Sequence, residues 1–244
     1  MKVVGKTDIG RRRESNQDSF AVLQLCCGMT VIVLCDGMGG ANGGNIASDA
    51  AVNVISAQIS KAARPNMRPA SIKAMLESAV LAANITVFDE ANANPKLSGM
   101  GTTVVVAALT DGCAYIIHVG DSRAYIIHGE NEMEQITTDH SIVQHMLELG
   151  QLTREEARTH PKRNVITRAL GVDDTIEIDY NELEFTSEDT FLICSDGLTN
   201  YLTNEEMLQI CNLSDFYDCA DRLVEQANNN GGGDNITVVL ARAD

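Results

Sequence analysis

Two Asp-Gly pairs in this sequence follow apolar, strand-like runs. Residues 31–35 lead into Asp36-Gly37, and residues 191–195 lead into Asp196-Gly197. Asp-Gly is a common turn signal that joins two strands in a hairpin, and for either pair alone a turn or a helix cap is the stronger interpretation. Both pairs, however, lead toward helices, which is not typical of a hairpin.

Three further aspartates stand at the ends of predicted strands. Asp18 precedes the first strand, Asp121 lies at a hairpin tip, and Asp234 opens the last strand. Carboxylates crowded into one cleft repel each other and are costly to desolvate unless a cation compensates. Mg²⁺ and Mn²⁺ prefer carboxylate, carbonyl and water oxygens, and no side chain obstructs the carbonyl of Gly37. The set therefore predicts a site for hard divalent cations.

A basic run, Arg11 to Arg13, precedes the first of these aspartates. Consecutive arginines usually form a solvated face, which is our interpretation for Arg11 and Arg12. One arginine beside a metal-bound acid cluster can instead hold a phosphoryl group through paired hydrogen bonds. The glycine-rich stretch 37–44 matches neither a Walker loop nor GxGxxG, so we interpret it as close packing around the acids.

The elements that must position these residues are strands in groups and helices in pairs. Helical periodicity covers about 46–63 and 69–91, and capping boxes begin later helices at Thr153 and Thr203. The absence of βαβ alternation favours an α+β fold with antiparallel sheets and helices outside. The predicted strands are 19–25, 29–35, 102–109, 113–119, 123–128, 189–194 and 235–241.

Composition narrows the classes of partner. The chain has 18 Lys and Arg against 34 Asp and Glu, a formal net charge of −16, which disfavours nucleic acid and anionic membranes. Seven cysteines without a CxxC spacing predict buried thiols in a reducing compartment. No signal-peptide core and no apolar run near the ~20 residues of a membrane span are present, so we expect a cytoplasmic protein with no membrane partner.

Eight segments resemble, in order, the motifs of the metal-dependent protein phosphatase family (PPM, type 2C). Each is a weak signal alone, whereas eight in the family's order are specific. The short length and the DGMGG form resemble the compact bacterial branch. The segments are TDIGRRRESNQDSF (7–20), CDGMGG (35–40), SGMGTT (98–103), HVGDSRAY (118–125), TTDHS (137–141), NVITRALG (164–171), CSDGLTN (194–200) and GGDNITVV (232–239).

The resemblance implies an αββα sandwich: two central antiparallel β-sheets flanked by helical pairs, with a binuclear metal site at one edge. It implies one catalytic domain over residues 1–244, in which residues 142–163 form a flap beside the cleft that contributes to substrate selectivity. The implied activity is hydrolysis of phosphoserine and phosphothreonine in proteins, by direct attack of a metal-bridging hydroxide on phosphorus, without a nucleophilic cysteine or serine.

The resemblance also implies the ligands of two divalent cations, Mn²⁺ or Mg²⁺. Asp36 would bridge both ions, and the carbonyl of Gly37 would bind one. Asp196 and Asp234 would also bind the ions directly, and Asp18 would hold metal-bound waters.

A third, weaker ion and the substrate complete the implied site. Asp121 with Asp196 would hold the third ion, and Arg13 aligns with the phosphate-binding arginine. The substrates would be phosphorylated proteins, those of a partner Ser/Thr kinase, and the protein would act as a monomer.

The sequence departs from the family at the general acid. Many members carry a histidine directly after Asp-Gly, and bacterial members often carry one three residues later, where this chain has Met38 and Ala41. We therefore hypothesise that a metal-bound water protonates the leaving group. His140 is an outside candidate, although the TTDHS segment gives it no established acid role.

Two other classes of protein stay open on the sequence alone. One is a metal-binding pseudophosphatase that acts as a docking module, which the intact set of acids disfavours. The other is a different metal-dependent phosphohydrolase or a nuclease, and the net charge disfavours a nucleic-acid substrate.

Overall fold

The computed structural model describes residues 1–129 and 132–243, and the side chains of residues 40–42 lie outside the description. Ala41, one of the two positions that lack the histidine, is among those three. Within the described ranges the chain forms eleven β-strands, seven α-helices and a 3₁₀ turn at Pro95–Leu97.

Two antiparallel sheets form the centre of the fold. The first sheet contains β1 (Lys2–Asp8), β7 (Arg123–His128), β8 (Glu132–Gln135), β10 (Asp189–Cys194) and β11 (Ile236–Arg242), in the order β1-β11-β10-β7-β8. The second contains β2 (Asp18–Gln24), β3 (Thr30–Met38), β4 (Gly101–Thr102), β5 (Val104–Thr110), β6 (Gly112–Val119) and β9 (Asp179–Phe185), in the order β2-β3-β5-β6-β9 with β4 paired to β3.

Helices cover the outer face of each sheet. The helices α1 (Gly40–Ala62) and α2 (Pro69–Ala93) pack on the second sheet, and α5 (Asp196–Thr199), α6 (Asn204–Leu213) and α7 (Phe216–Asn229) share a core with the first. The short helices α3 (Ile142–Glu148) and α4 (Arg154–Thr159) lie in the segment predicted to be a flap. The predicted α+β fold class, with two antiparallel sheets between helical layers, is confirmed.

Strand β5 shows how the sequence produces this layered arrangement. Val105, Ala107 and Leu109 pack in the core between the sheets, while the alternate residues Val104 and Val106 pack against the helices α1 and α2. Both faces of the strand are therefore buried, because successive side chains point to opposite sides of a sheet. This double burial explains why the run 102–109 is apolar without alternation.

The segment that contains α3 and α4 closes on itself at its base. Ser141 pairs with Ile166 in an isolated antiparallel bridge. The amide of Ile142 donates to the carbonyl of Val165 at 3.0 Å, and the amide of Thr167 donates to the carbonyl of His140 at 2.7 Å. Residues 142–165 therefore leave and re-enter the sandwich at one place.

Helix α2 is long and apolar enough to cross a membrane by length and composition alone. Nine of its residues are buried, and apolar ones such as Leu76, Val80 and Val87 belong to the core shared with α1 and the second sheet. A core helix satisfies the same criteria of length and composition, so the packing accounts for its apolar character.

Both predicted capping boxes are present. The hydroxyls of Thr153 and Thr203 accept hydrogen bonds from the amides of Glu156 and Glu206, whose carboxylates accept from the amides of the same threonines at 2.8 Å. These caps fix where α4 and α6 begin.

Asp189 at the start of β10 is expected to stabilise the first sheet. Its buried carboxylate accepts from the amide and hydroxyl of Thr186 at 2.7 and 2.8 Å and lies 2.6 Å from Nδ1 of His128. Burial alone raises the pKa of Asp189, but these hydrogen bonds outweigh it and hold the pKa below its ordinary value. We expect Asp189→Asn to lower the free energy of unfolding by about 1–2 kcal/mol at neutral pH.

The direction of the pKa shift of Asp189 determines how its contribution to stability depends on pH. A lowered carboxyl pKa stabilises the fold above the ordinary value and loses that effect as pH falls through the folded-state pKa. The difference between wild type and Asp189→Asn in urea unfolding should therefore shrink on acidification. Asp111→Asn, at an exposed turn, is the control, and a difference that does not change with pH would contradict the assignment.

Candidate metal centre

Five aspartates from both sheets gather at one edge of the sandwich. Burial and then the charges of Asp18, Asp196, Asp121 and Asp234 raise the pKa of Asp36 well above its ordinary value. Like charges shift a carboxyl pKa in this way only when they are near. The structure therefore brings together the five acids that the sequence places far apart.

Strand pairing positions the first two acids. Asp18 at the start of β2 lies directly opposite Asp36 near the end of β3. The amide of Asp36 donates to the Thr103 hydroxyl at 3.0 Å, and its carbonyl accepts from the Thr103 amide at 2.9 Å and the Thr102 hydroxyl at 2.9 Å. The backbone of Asp36 is thus held from the strand on its other side.

Asp18 connects the two sheets. Its Oδ2 accepts hydrogen bonds from the hydroxyls of Ser195 at 2.8 Å and Thr237 at 2.6 Å. Ser195 follows β10 and Thr237 lies in β11, both strands of the first sheet. Burial raises the pKa of Asp18 to about 6, against the lowering effect of those two hydroxyls. Its Oδ1 is buried without a hydrogen-bond partner among the described residues. A buried unsatisfied carboxylate oxygen is costly, and a cation or a water held by a cation would satisfy it.

Ionisation of Asp196 and Asp121 is also opposed by burial and by neighbouring negative charges. Burial, followed by the charges of Asp121, Asp234 and Asp18, raises the pKa of Asp196 well above its ordinary value, while Asn200 donates to its Oδ2 at 2.9 Å. Burial raises the pKa of Asp121 to about 6, with the charge of Asp139 as the next cause. These carboxylates supply the hard oxygen ligands that a divalent cation prefers, so the residues fit such an ion.

Both Asp-Gly pairs need glycine because the backbone of another segment passes close to its Cα. A Cβ on Gly37 would collide with the carbonyl oxygens of Gly44 and Gln17, and a Cβ on Gly197 would collide with the carbonyl oxygen of Asn235. Gly37 lies within β3, and Asp196 begins α5. The structure therefore excludes the hairpin-turn interpretation for both pairs.

Arg13 lies against the acidic cluster. Its Nη2 donates to Oδ2 of Asp234 at 2.7 Å, and the hydrogen bond to Asp234 raises the pKa of Arg13. About half of its side chain is exposed. Arg11 and Arg12 are exposed, as the solvated-face interpretation expects.

Asp139 is a residue of this region that the sequence analysis did not single out. Arg123 binds it through two hydrogen bonds, from Nε at 2.8 Å and from Nη2 at 2.7 Å. Asp121 lies on the connection between β6 and β7, which belong to different sheets, so the predicted hairpin at Asp121 is wrong. The TTDHS motif contained the signal for Asp139, because the chain that follows β8 returns to this connection.

A second group of side chains of metal-ligating types lies beside the β6–β7 connection. His118, His140 and Asp179 each offer a ligand atom, and these atoms lie within 4.8 Å of one another. Nη1 of Arg168, however, donates to Asp179 at 3.0 Å and lies 3.3 Å from Nε2 of His140. The guanidinium already supplies the positive charge at this place and would repel a metal ion.

His140 is not positioned as the general acid. Its Nδ1 accepts from the amide of Gly120 at 3.1 Å, and its Nε2 lies 3.4 Å from Asp179. Burial, then the charges of His118 and Arg168, lowers the pKa of His140. The ring therefore stabilises the β6–β7 connection, which carries Asp121, as a neutral group. Met38 ends β3 and supplies no proton.

A groove of about 980 Å³ runs beside the acids. Asp121, Asp196, Arg123 and Asp139 contribute to its wall, together with side chains of the segment 142–163. The acidic cluster is therefore open to solvent along this groove.

The model of the family described as Protein phosphatase 2C matches residues 5–241 of this chain. The chain belongs to the protein phosphatase 2C family. Its similarity to curated members covers nearly the whole chain. It is 36% identical to the serine/threonine phosphatase stp of Listeria monocytogenes over 240 residues, and this aligned region covers 98% of this chain and 94% of that protein.

Solved structures of phosphatase 2C proteins share the fold. The crystal structure of the serine/threonine phosphatase Stp1 from Staphylococcus aureus superposes with a TM-score of 0.93 at 34% identity, covering 100% of this chain and 95% of that one. The catalytic domain of the phosphatase PstP in complex with two manganese ions superposes with a TM-score of 0.86 at 31% identity, covering 98% and 96%. The predicted family, fold and function as a metal-dependent protein phosphatase are therefore confirmed.

Proposed function

We propose that this phosphatase hydrolyses phosphoserine and phosphothreonine in proteins with two divalent cations, Mn²⁺ or Mg²⁺, held at the acidic cluster. The observation that carries the proposal is the gathering of four aspartates around Asp36, whose mutual repulsion divalent cations would offset. The unpartnered Oδ1 of Asp18 supports it. When bound, two such ions lower the pKa of a water molecule and neutralise charge on the phosphoryl oxygens.

Each residue has a proposed role toward these ions. Asp36 would hold both ions, and the carbonyl of Gly37, Asp196 and Asp234 would also hold them directly. Asp18 orients water from its buried position, since its other oxygen is already held by two hydroxyls. No cysteine or serine nucleophile is needed when water attacks phosphorus.

The remaining roles concern a third ion and the phosphate. After burial, the charge of Asp121 is the main cause that raises the pKa of Asp196, and we assign the third, weaker ion to this pair. Arg13 binds the substrate phosphate, because its guanidinium lies at the cluster and is half exposed. Residues 1–244 act as one catalytic domain, with 142–163 as its flap.

The setting of the reaction is proposed in the same way. The phosphatase acts in the cytoplasm as a monomer on proteins phosphorylated by a partner Ser/Thr kinase, without nucleic-acid or membrane partners. The net charge of −16 supports the last two absences.

The direct test is release of phosphate from a phosphothreonine peptide with Mn²⁺ and with a chelator. Release that depends on Mn²⁺ supports the proposal. Binding of Mn²⁺, measured by calorimetry, with no release from any phosphopeptide would instead support a docking module without catalysis.

Arg13→Ala is expected to raise the KM for a phosphopeptide about tenfold, because a charge-assisted hydrogen bond to the phosphate is lost. Steady-state kinetics at saturating Mn²⁺ measure the effect. Arg12→Ala removes the same charge from the neighbouring exposed position and serves as the control. An Arg13→Ala enzyme with the KM of wild type would remove Arg13 from the site.

A further inference from the structure

The groove beside the acidic cluster carries three arginines of the segment 142–163. Arg154 and Arg158 are four residues apart on α4, so they share a helix face, and Arg163 follows the helix. All three line the groove and are exposed. The groove is also lined by Glu134, Glu148 and Glu205, so the three arginines form a local positive patch in a chain whose formal net charge is −16.

These arginines form no ion pair within the described part of the chain, although the charge of Arg158 contributes to lowering the pKa of Glu205, which lines the same groove. None of Arg154, Arg158 and Arg163 has a carboxylate within ion-pair distance there, unlike Arg123, which is bound by Asp139. Of the two acids on α4, Glu156 is occupied by the capping box with Thr153, and Glu155 forms no ion pair with a described residue. The three guanidinium groups are therefore available to an incoming ligand.

A substrate whose phosphate reaches the acidic cluster would place the neighbouring residues in this groove, because Asp121 and Asp196 also line it. Exposed guanidinium groups bind carboxylates through paired hydrogen bonds. A polyanionic enzyme repels an acidic peptide at long range, so local positive charges are what make such a peptide acceptable. Charge complementarity thus favours acidic side chains in the bound segment.

We propose that Arg154, Arg158 and Arg163 select protein segments in which acidic residues flank the phosphorylated residue. This inference rests on the proposed phosphatase function and defines the sequence class of its substrates.

The test compares two phosphothreonine peptides that are identical except for glutamate or glutamine at the flanking positions. With Mn²⁺ present, we expect kcat/KM to be about tenfold higher for the glutamate peptide, the combined effect of several exposed ion pairs. The preference should shrink as NaCl is raised from about 0.02 M to about 0.5 M, because exposed pairs are screened.

Two double variants separate charge from structure. R154Q/R158Q should lower kcat/KM for the glutamate peptide several-fold more than for the glutamine peptide, and R154E/R158E should reverse the preference. Both side chains are exposed, so neither change disturbs the core. Arg68→Gln, at the exposed residue before α2, is the matched control and should leave both peptides unaffected.

The outcomes distinguish this inference from the function on which it rests. Equal kcat/KM for both peptides in wild type, or a glutamate preference that persists in R154E/R158E, overturns the inference while the phosphatase activity stands. No Mn²⁺-dependent hydrolysis of either peptide overturns the proposed function and the inference together.

Discussion

Replacing Asp36 by asparagine is expected to abolish phosphatase activity and, in the absence of metal, to stabilise the protein. Activity should fall by at least about 10³-fold, since paired metal ions supply several kcal/mol and each 1.36 kcal/mol is a factor of ten in rate. The stabilisation follows because Asp36 lies among four other carboxylates whose charges oppose its ionisation. Removing one of the mutually repelling charges should raise the metal-free free energy of unfolding by about 1–2 kcal/mol.

Thermal unfolding with and without Mn²⁺ measures the second effect. For a chain of this size, 1 kcal/mol corresponds to a change in Tm of about 2–4 °C. Saturating Mn²⁺ should reverse the order, because wild type gains more from binding the ion. Asp89→Asn, an exposed position on α2, removes the same charge elsewhere and should change neither activity nor the response to Mn²⁺. An active Asp36→Asn enzyme, or one less stable than wild type without metal, would contradict the proposed bridging position.

Gly37→Ala should destabilise the fold by about 3 kcal/mol or more and weaken Mn²⁺ binding. The amide of Gly37 donates to the carbonyl of Gln17 at 3.0 Å, and a Cβ would collide with that carbonyl and with the carbonyl of Gly44. Backbone atoms cannot move aside as a flexible side chain does, so β3 and the start of α1 must separate. Because Asp36 is the preceding residue, the metal ligands would be displaced with the strand.

Gly28→Ala is the matched control for this substitution. Gly28 has a φ of +81° and no heavy atom within 4 Å of an added Cβ. That change therefore costs only the strain of a left-handed alanine, about 1 kcal/mol, and leaves the metal centre unaffected. Urea unfolding and calorimetric Mn²⁺ titration of both variants make the comparison. A Gly37→Ala protein no less stable than Gly28→Ala would show that the close backbone approach is wrong.

The sequence was most informative where strands are buried on both faces. Strands β3 and β5 were predictable because two cores require an uninterrupted apolar run. Strands β1 and β9 were missed because both lie at sheet edges and mix charged with apolar residues. Propensity is weak for such strands, and only their partners stabilise them.

The acids were predicted individually, but their supports were not. Asp36 and Asp196 stand out because glycine follows each at the end of an apolar run. The hydroxyls of Ser195 and Thr237 that hold Asp18 carry no local signal, since their contact depends on how two sheets pack. The contact of Asp139 with Arg123 could not be predicted without the register in which β7 pairs with β8.

The closed base of residues 142–165 has a consequence for how relatives of this protein can differ. Because Ser141 and Ile166 already meet, the entropy of closing the loop between them grows only slowly with its length. Insertions, deletions and charge changes in that excursion therefore leave the hydrolytic acids in place. Relatives can therefore differ in target preference through changes in this one surface segment, while the clustered aspartates keep their positions.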